Sequence, residues 1–197
     1  MPLRLDSEAR AGLLDFVRPL SVGVDGATNF GFVERRLAVV ERLAAAARER
    51  EPEAAIDAGR LFLLAAFAGL PERRHAGGGR TELLLASAGV PREDVAWLFR
   101  ALRRFEADPR SLEEGLVRDA GLLESVGAYG ITQMLVLGTR ERMTLAEMAE
   151  EIASRAGEVR FTTDAGRAAG AERVEFSLAF ARRLAAEVAE FEATPVR

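Results

Sequence analysis

The chain has 197 residues, a formal net charge of −4, no cysteine and one histidine, and all 27 of its basic residues are arginine. Without cysteine there is no thiol nucleophile, iron–sulfur cluster, disulfide or zinc–thiolate site. Without lysine there is no Schiff base and no phosphate-loop lysine, and a single histidine forbids any two-His metal motif within the chain. The balance of 49% hydrophobic to 29% charged residues is globular. It predicts one domain over 1–197, with an N-terminal helix and loop over 1–28, a bundle over 29–192 and a frayed tail over 193–197.

In chain order the pattern is helical. Asp6 and Ser7 cap a first helix carrying Leu13, Leu14, Phe16 and Val17. Ser21 to Asn29 reads as a loop. From about Phe30, Val33, Leu37, Val40, Leu43, Ala44 and Ala47 recur at three- and four-residue steps, one apolar stripe. Pro52 opens the next helix, which turns apolar all round at Leu61–Phe67 and so belongs in the centre. Pro71 to Arg80 is a basic, glycine-rich turn holding His75. Leu83–Leu85 continue a helix to Gly89, and Pro91 starts another with Val95, Leu98, Phe99 and Leu102 facing inward. Asp108-Pro109 breaks it. Ser111 with Glu114, and Thr144 with Glu147, are capping boxes. A last helix runs from about Asp164 to Phe191, with Phe176, Phe180, Leu184 and Val188 in register. No alternating stretch competes, so the fold class is all-α.

The stretch from Ser111 to Ile131 carries the most information. Its Asp119-Ala120-Gly121, Leu122-Leu123-Glu124 and Gly127-Ala128-Tyr129-Gly130-Ile131 resemble the last motif of the HD-domain phosphohydrolase superfamily, in its branch of small stand-alone bacterial proteins. Thr163, Arg167, Ala171, Arg173, Phe176 and Phe180 are similar to the terminal helix of that branch. The resemblance runs from about residue 29 to 190 and implies an HD-domain-like helical bundle. Active members of the superfamily hold divalent metal through a His, a His-Asp pair and a distant Asp, and the metal activates water against a phosphate ester.

Here the pattern departs. The His-Asp pair falls on Ala68-Gly69, or on Phe67-Ala68 with a one-residue slip. The first His falls on Phe32 or, in another register, Arg36. One auxiliary His matches His75 and the other falls on Phe105. Asp119 alone survives among the principal ligands, and the second Asp of its motif is Gly121. One carboxylate and one imidazole do not make a divalent-metal shell.

The resemblance therefore implies a degenerate member with no cofactor, whose former cleft is an apolar cavity for a small organic or nucleotide-like ligand or a partner. Phe32, Arg36, Phe67, Ala68, Gly69, Arg104, Phe105 and Tyr129 would line it, with Asp119 and His75 as candidate acid and base. Two alternatives stand beside this reading. One is a metal-free isomerase, cyclase or lyase using Asp119 and His75. The other is a residual phosphohydrolase with unusual ligands such as Asp57, Glu124 and Asp119. The net charge predicts no nucleic-acid or anionic-membrane partner. Met1 to Asp6 lacks the apolar run of a signal peptide, and Leu61–Leu70, the longest apolar stretch, is about half a membrane span. A cytoplasmic protein, with a homodimer possible through the last helix, is the expectation.

Overall fold

A computed structural model describes residues 2–20, 30–70 and 79–193, apart from the side chains of Phe30, Arg80 and Glu192. Every element among them is a helix: α1 (Ser7–Leu20), α2 (Phe30–Arg50), α3 (Ala58–Phe67), α4 (Gly79–Ser87), α5 (Arg92–Arg104), α6 (Leu112–Ser125), α7 (Gly127–Arg140), α8 (Leu145–Glu158) and α9 (Asp164–Glu192). The all-α class is thus observed. The helices form two compact units, Met1–Ala120 and Gly121–Arg197. Among the described residues no single helix is long and apolar enough to cross a membrane.

In the first unit α3 is the core. Leu61 to Ala68 are all buried, each large side chain contributing about 1.5–3 kcal/mol. Leu13 and Val17 of α1, Val33, Val40, Leu43 and Ala44 of α2, and Leu98, Ala101 and Leu102 of α5 are the other buried positions that matter here. Arg60 joins α3 to α5: its Nε and Nη2 donate to Oδ1 of buried Asp94 at 2.8 and 2.7 Å, and its guanidinium lies 5.3 Å from the ring centre of Trp97. Burial pulls the Arg60 pKa down, but the bond and charge of Asp94, with Asp57 and Glu113 nearby, outweigh it and raise the value above normal.

Helix α3 begins six residues later than Pro52 suggests. Asp57 is its N-cap, accepting from the amides of Gly59 and Arg60 at 3.0 Å each. The same carboxylate takes the Leu3 amide at 2.8 Å, and the Asp57 amide donates to Glu113 Oε1 at 2.8 Å. Gly59 is obligatory here, because a Cβ would stand 2.4 Å from the Leu3 carbonyl oxygen. Residues distant in sequence therefore choose between two locally acceptable starting points.

In the second unit the Thr144–Glu147 box forms in full. Its carboxylate accepts from the Thr144 amide at 2.7 Å and the Thr144 hydroxyl at 2.9 Å, which lowers the Glu147 pKa. The inward register of α9 differs from the expected phenylalanine stripe. Ala165, Gly170, Ser177 and Ala181 are buried, whereas Phe176 is 49% exposed and Phe180 packs at the edge of the cluster of Ile131, Met134, Ile152 and Ala181. Small residues let the backbone of α9 approach closely: a Cβ on Gly170 would collide with the Phe161 ring. Ser177 Oγ accepts the Gly127 amide at 2.8 Å at the start of α7, where Gly127 takes φ +76°.

Candidate functional site

The apolar stripe of α2 lays that helix along α3 and brings the start of α2 to the end of α3. Gly69, just beyond α3, meets Phe32 and Arg36 there. A Cβ on Gly69 would stand 3.2 Å from Phe32 Cε1 and 3.5 Å from Arg36 Nη1. The Arg36 guanidinium carbon lies 4.3 Å from the centre of the Phe32 ring, within cation–π range. Arg36 is only 8% exposed, and Phe67, Ala68 and Phe105 are buried. Phe32 and Gly69 are half-buried. Phe32 and Arg36, one helical turn apart on α2, thus share one spot with Gly69, more than thirty residues further along the sequence.

Asp119 is 0% exposed, on the inner face of α6 beside buried Leu116, Val117 and Ala120. His75 lies outside the described residues, so the pairing of Asp119 with His75 is not described either. Arg104 is committed to structure. Its Nη2 and Nε donate to Glu114 Oε1 and Oε2 at 2.5 and 3.1 Å, and Glu114 is 0% exposed. Glu114 also accepts the Arg110 amide at 3.0 Å, so the expected Ser111 capping box keeps its hydroxyl arm, at 3.3 Å, while its carboxylate serves Arg104 and Arg110. Tyr129 belongs to the second unit and is 37% exposed, its hydroxyl accepting from Gln133 Nε2 at 3.0 Å.

The donor chemistry does not fit a divalent cation. Where the resemblance expects the first His, the His-Asp pair and the second auxiliary His stand phenyl rings, a methyl group, a glycine and a guanidinium, none of which can ligate a metal. Of the carboxylates weighed as unusual ligands, Asp57 is consumed by three backbone amides, and Glu124 is buried in the second unit. Among the described residues no three His, Asp or Glu side chains converge closely enough to hold a metal ion. What Arg36 supplies instead is a permanent positive charge with planar donors. Such a group attracts and orients an anion, but it does not generate hydroxide from bound water as a metal does.

Sequence reasoning overlooked Arg10 of α1. Its guanidinium lies 5.0 Å from the centre of the Phe62 ring, and it lines a cavity between α1, α2 and α3. A signal existed: Arg10 stands three and seven residues before Leu13 and Val17, on their inward face.

No family model matches the chain, and no curated protein does. Solved structures do match over nearly the whole chain. Bacillus subtilis YpgQ, crystallised in complex with ADP, is 18% identical, with a TM-score of 0.67 over 91% of this chain and 95% of its own. Lin1889 from Listeria innocua is 15% identical, with a TM-score of 0.70 over 95% and 98%. A protein from Lactobacillus plantarum is 17% identical, with a TM-score of 0.66 over 95% and 100%. At these identities the likeness is one of fold.

Proposed function

We propose that the chain is a degenerate HD-domain protein without metal-dependent phosphohydrolase activity, which binds a small nucleotide-like or organic anion at the former metal site. The observation that carries this reading is the convergence of Arg36, Phe32 and Gly69. A side-chain cation stacked on an aromatic ring stands where the resemblance expects a metal ion's ligands. Its charge favours an anionic group such as phosphate, and the Phe32 ring beside it suits a flat apolar group. A nucleotide combines both, and the ADP complex of the structurally similar YpgQ supports that ligand class. Loss of the metal removes both the activated water and the charge clamp on the leaving phosphate, so binding is retained without turnover.

Calorimetric titration of ADP into the full chain in EDTA tests the reading, with a para-nitrophenyl phosphate assay run in manganese and in EDTA. Saturable binding without metal is expected, weakened about tenfold or more by Arg36→Leu, since a hydrogen bond to a charged group is worth about 1.5–3 kcal/mol. Manganese-stimulated, EDTA-sensitive hydrolysis would overturn it, as would an ADP affinity indifferent to Arg36→Leu.

A further inference from the structure

Along α2, from Leu37 to Arg48, lies a second feature, a half-open cavity of about 200 Å3 between α1, α2 and the beginning of α3. Its walls are mainly apolar: Leu37, Val40 and Ala44 of α2, and Leu61 and Phe62 of α3. Three charged side chains join them, Arg10, Arg48 and Glu41. Arg10 is the unusual one. Its Nε is buried and meets no hydrogen-bond acceptor among the described residues, while its guanidinium lies over Phe62. Leu37, which the periodicity of α2 predicts as core, is only half-buried because it faces this space.

We propose that this cavity binds a small monocarboxylic acid with an apolar, ring-sized body. The carboxylate pairs with the Arg10 guanidinium at the cavity wall, and the body lies against Phe62, Leu37, Val40 and Leu61. Three considerations fix the class. Two arginines, Arg10 and Arg48, against the one glutamate, Glu41, select an anion. Glu41 and the apolar walls disfavour a phosphate, whose second charge and hydration would be lost on entry. The volume exceeds the roughly 150 Å3 that accommodates benzene in an engineered cavity, leaving room for one carboxylate besides the ring. The site uses neither Arg36 nor Asp119, so it stands or falls independently of the nucleotide reading.

Benzoate is the probe, titrated by calorimetry into the full chain with benzamide as the neutral isostere. One benzoate per chain is expected. Benzamide should bind about tenfold or more weakly, and Arg10→Met should weaken benzoate about 10–100-fold, the range for a charge-assisted hydrogen bond. Ala44→Leu fills the cavity from its α2 wall while leaving the Arg10 side chain itself unchanged, and it should abolish binding. Its circular dichroism reports whether the fold is intact. Should Ala44→Leu prove unfolded, Val40→Leu, which adds one methylene to the same wall, serves in its place. Absence of saturable heat up to about 10 mM would overturn the proposal, that limit marking affinities under about 3 kcal/mol. Equal affinity for benzamide would do so too. Loss of binding in Arg10→Met but retention in the filled variant would seat the acid on the surface and equally refute it.

Discussion

The Arg104–Glu114 pair is buried asymmetrically, and its two halves should not be equally costly to remove. The Glu114 side chain is 0% exposed and that of Arg104 is 26% exposed. Arg104→Met leaves a carboxylate with the Arg110 amide at 3.0 Å as its main remaining donor, and an uncompensated buried charge costs about 3–5 kcal/mol. Glu114→Leu leaves a guanidinium that already reaches water, so the expected loss is about 1–3 kcal/mol. Replacing both removes the stranded charge, and the double variant should lie closer to the wild type than Arg104→Met does, with coupling of about 1–3 kcal/mol. Urea denaturation followed by fluorescence of the sole tryptophan, Trp97 on the same helix, reads these values directly. Equal losses from the two single variants, or an Arg104→Met loss below about 1 kcal/mol, would show that the buried end of the pair does not set the energetics.

Further outcomes follow from local geometry. Gly130→Ala puts a Cβ 2.3 Å from the backbone C and O of Ser125, which cannot move without opening the corner between α6 and α7; a loss of about 3 kcal/mol or more is expected in urea melts. Gly138→Ala meets only the flexible Met148 side chain, at 2.9 Å, so its loss should stay near 1 kcal/mol, and a loss equal to that of Gly130→Ala would contradict the contrast. The lowered pKa of Glu147 means that its capping contribution is complete above its unfolded value of 4.5 and fades as pH falls through the lower folded value. Glu147→Gln should therefore flatten the acid limb of stability just below pH 4.5 and leave the slope near neutrality unchanged, as thermal melts across that range would report.

Much of the architecture is legible in the sequence where contacts are local. The stripe of α2 and the Thr144–Glu147 box are set by neighbours three or four residues apart, and both are observed. Gly130 shows its need for close backbone approach within five residues. Legibility fails where distant partners decide. Pro52 and Asp57 are both reasonable starts for α3, and the amide of Leu3 and the carboxylate of Glu113 settle the choice. Glu114 has the spacing of a capping residue, yet Arg104 claims its carboxylate. The α9 register slips because small residues pack closer than phenylalanines, a preference that hydrophobic periodicity does not register. The meeting of Phe32 and Arg36 with Gly69 is set by the packing of α2 on α3 and leaves no signature in residue spacing. Arg10 was overlooked because an arginine on an inward helix face reads as a long side chain bending outward.

The ties that converge on Asp57 also bear on how the chain acquires its structure. Most contacts in a helical protein are close in sequence and form quickly. The Leu3–Asp57 and Asp57–Glu113 bonds instead bridge 54 and 56 residues, so the loops they close carry an entropic cost that no neighbouring helix turn repays. The central helix can nucleate early, but its first turn is secured only when chain from both directions arrives. Changes at Leu3 or Glu113 should then leave the folding rate nearly constant and accelerate unfolding, which makes this junction a determinant of lifetime rather than of speed.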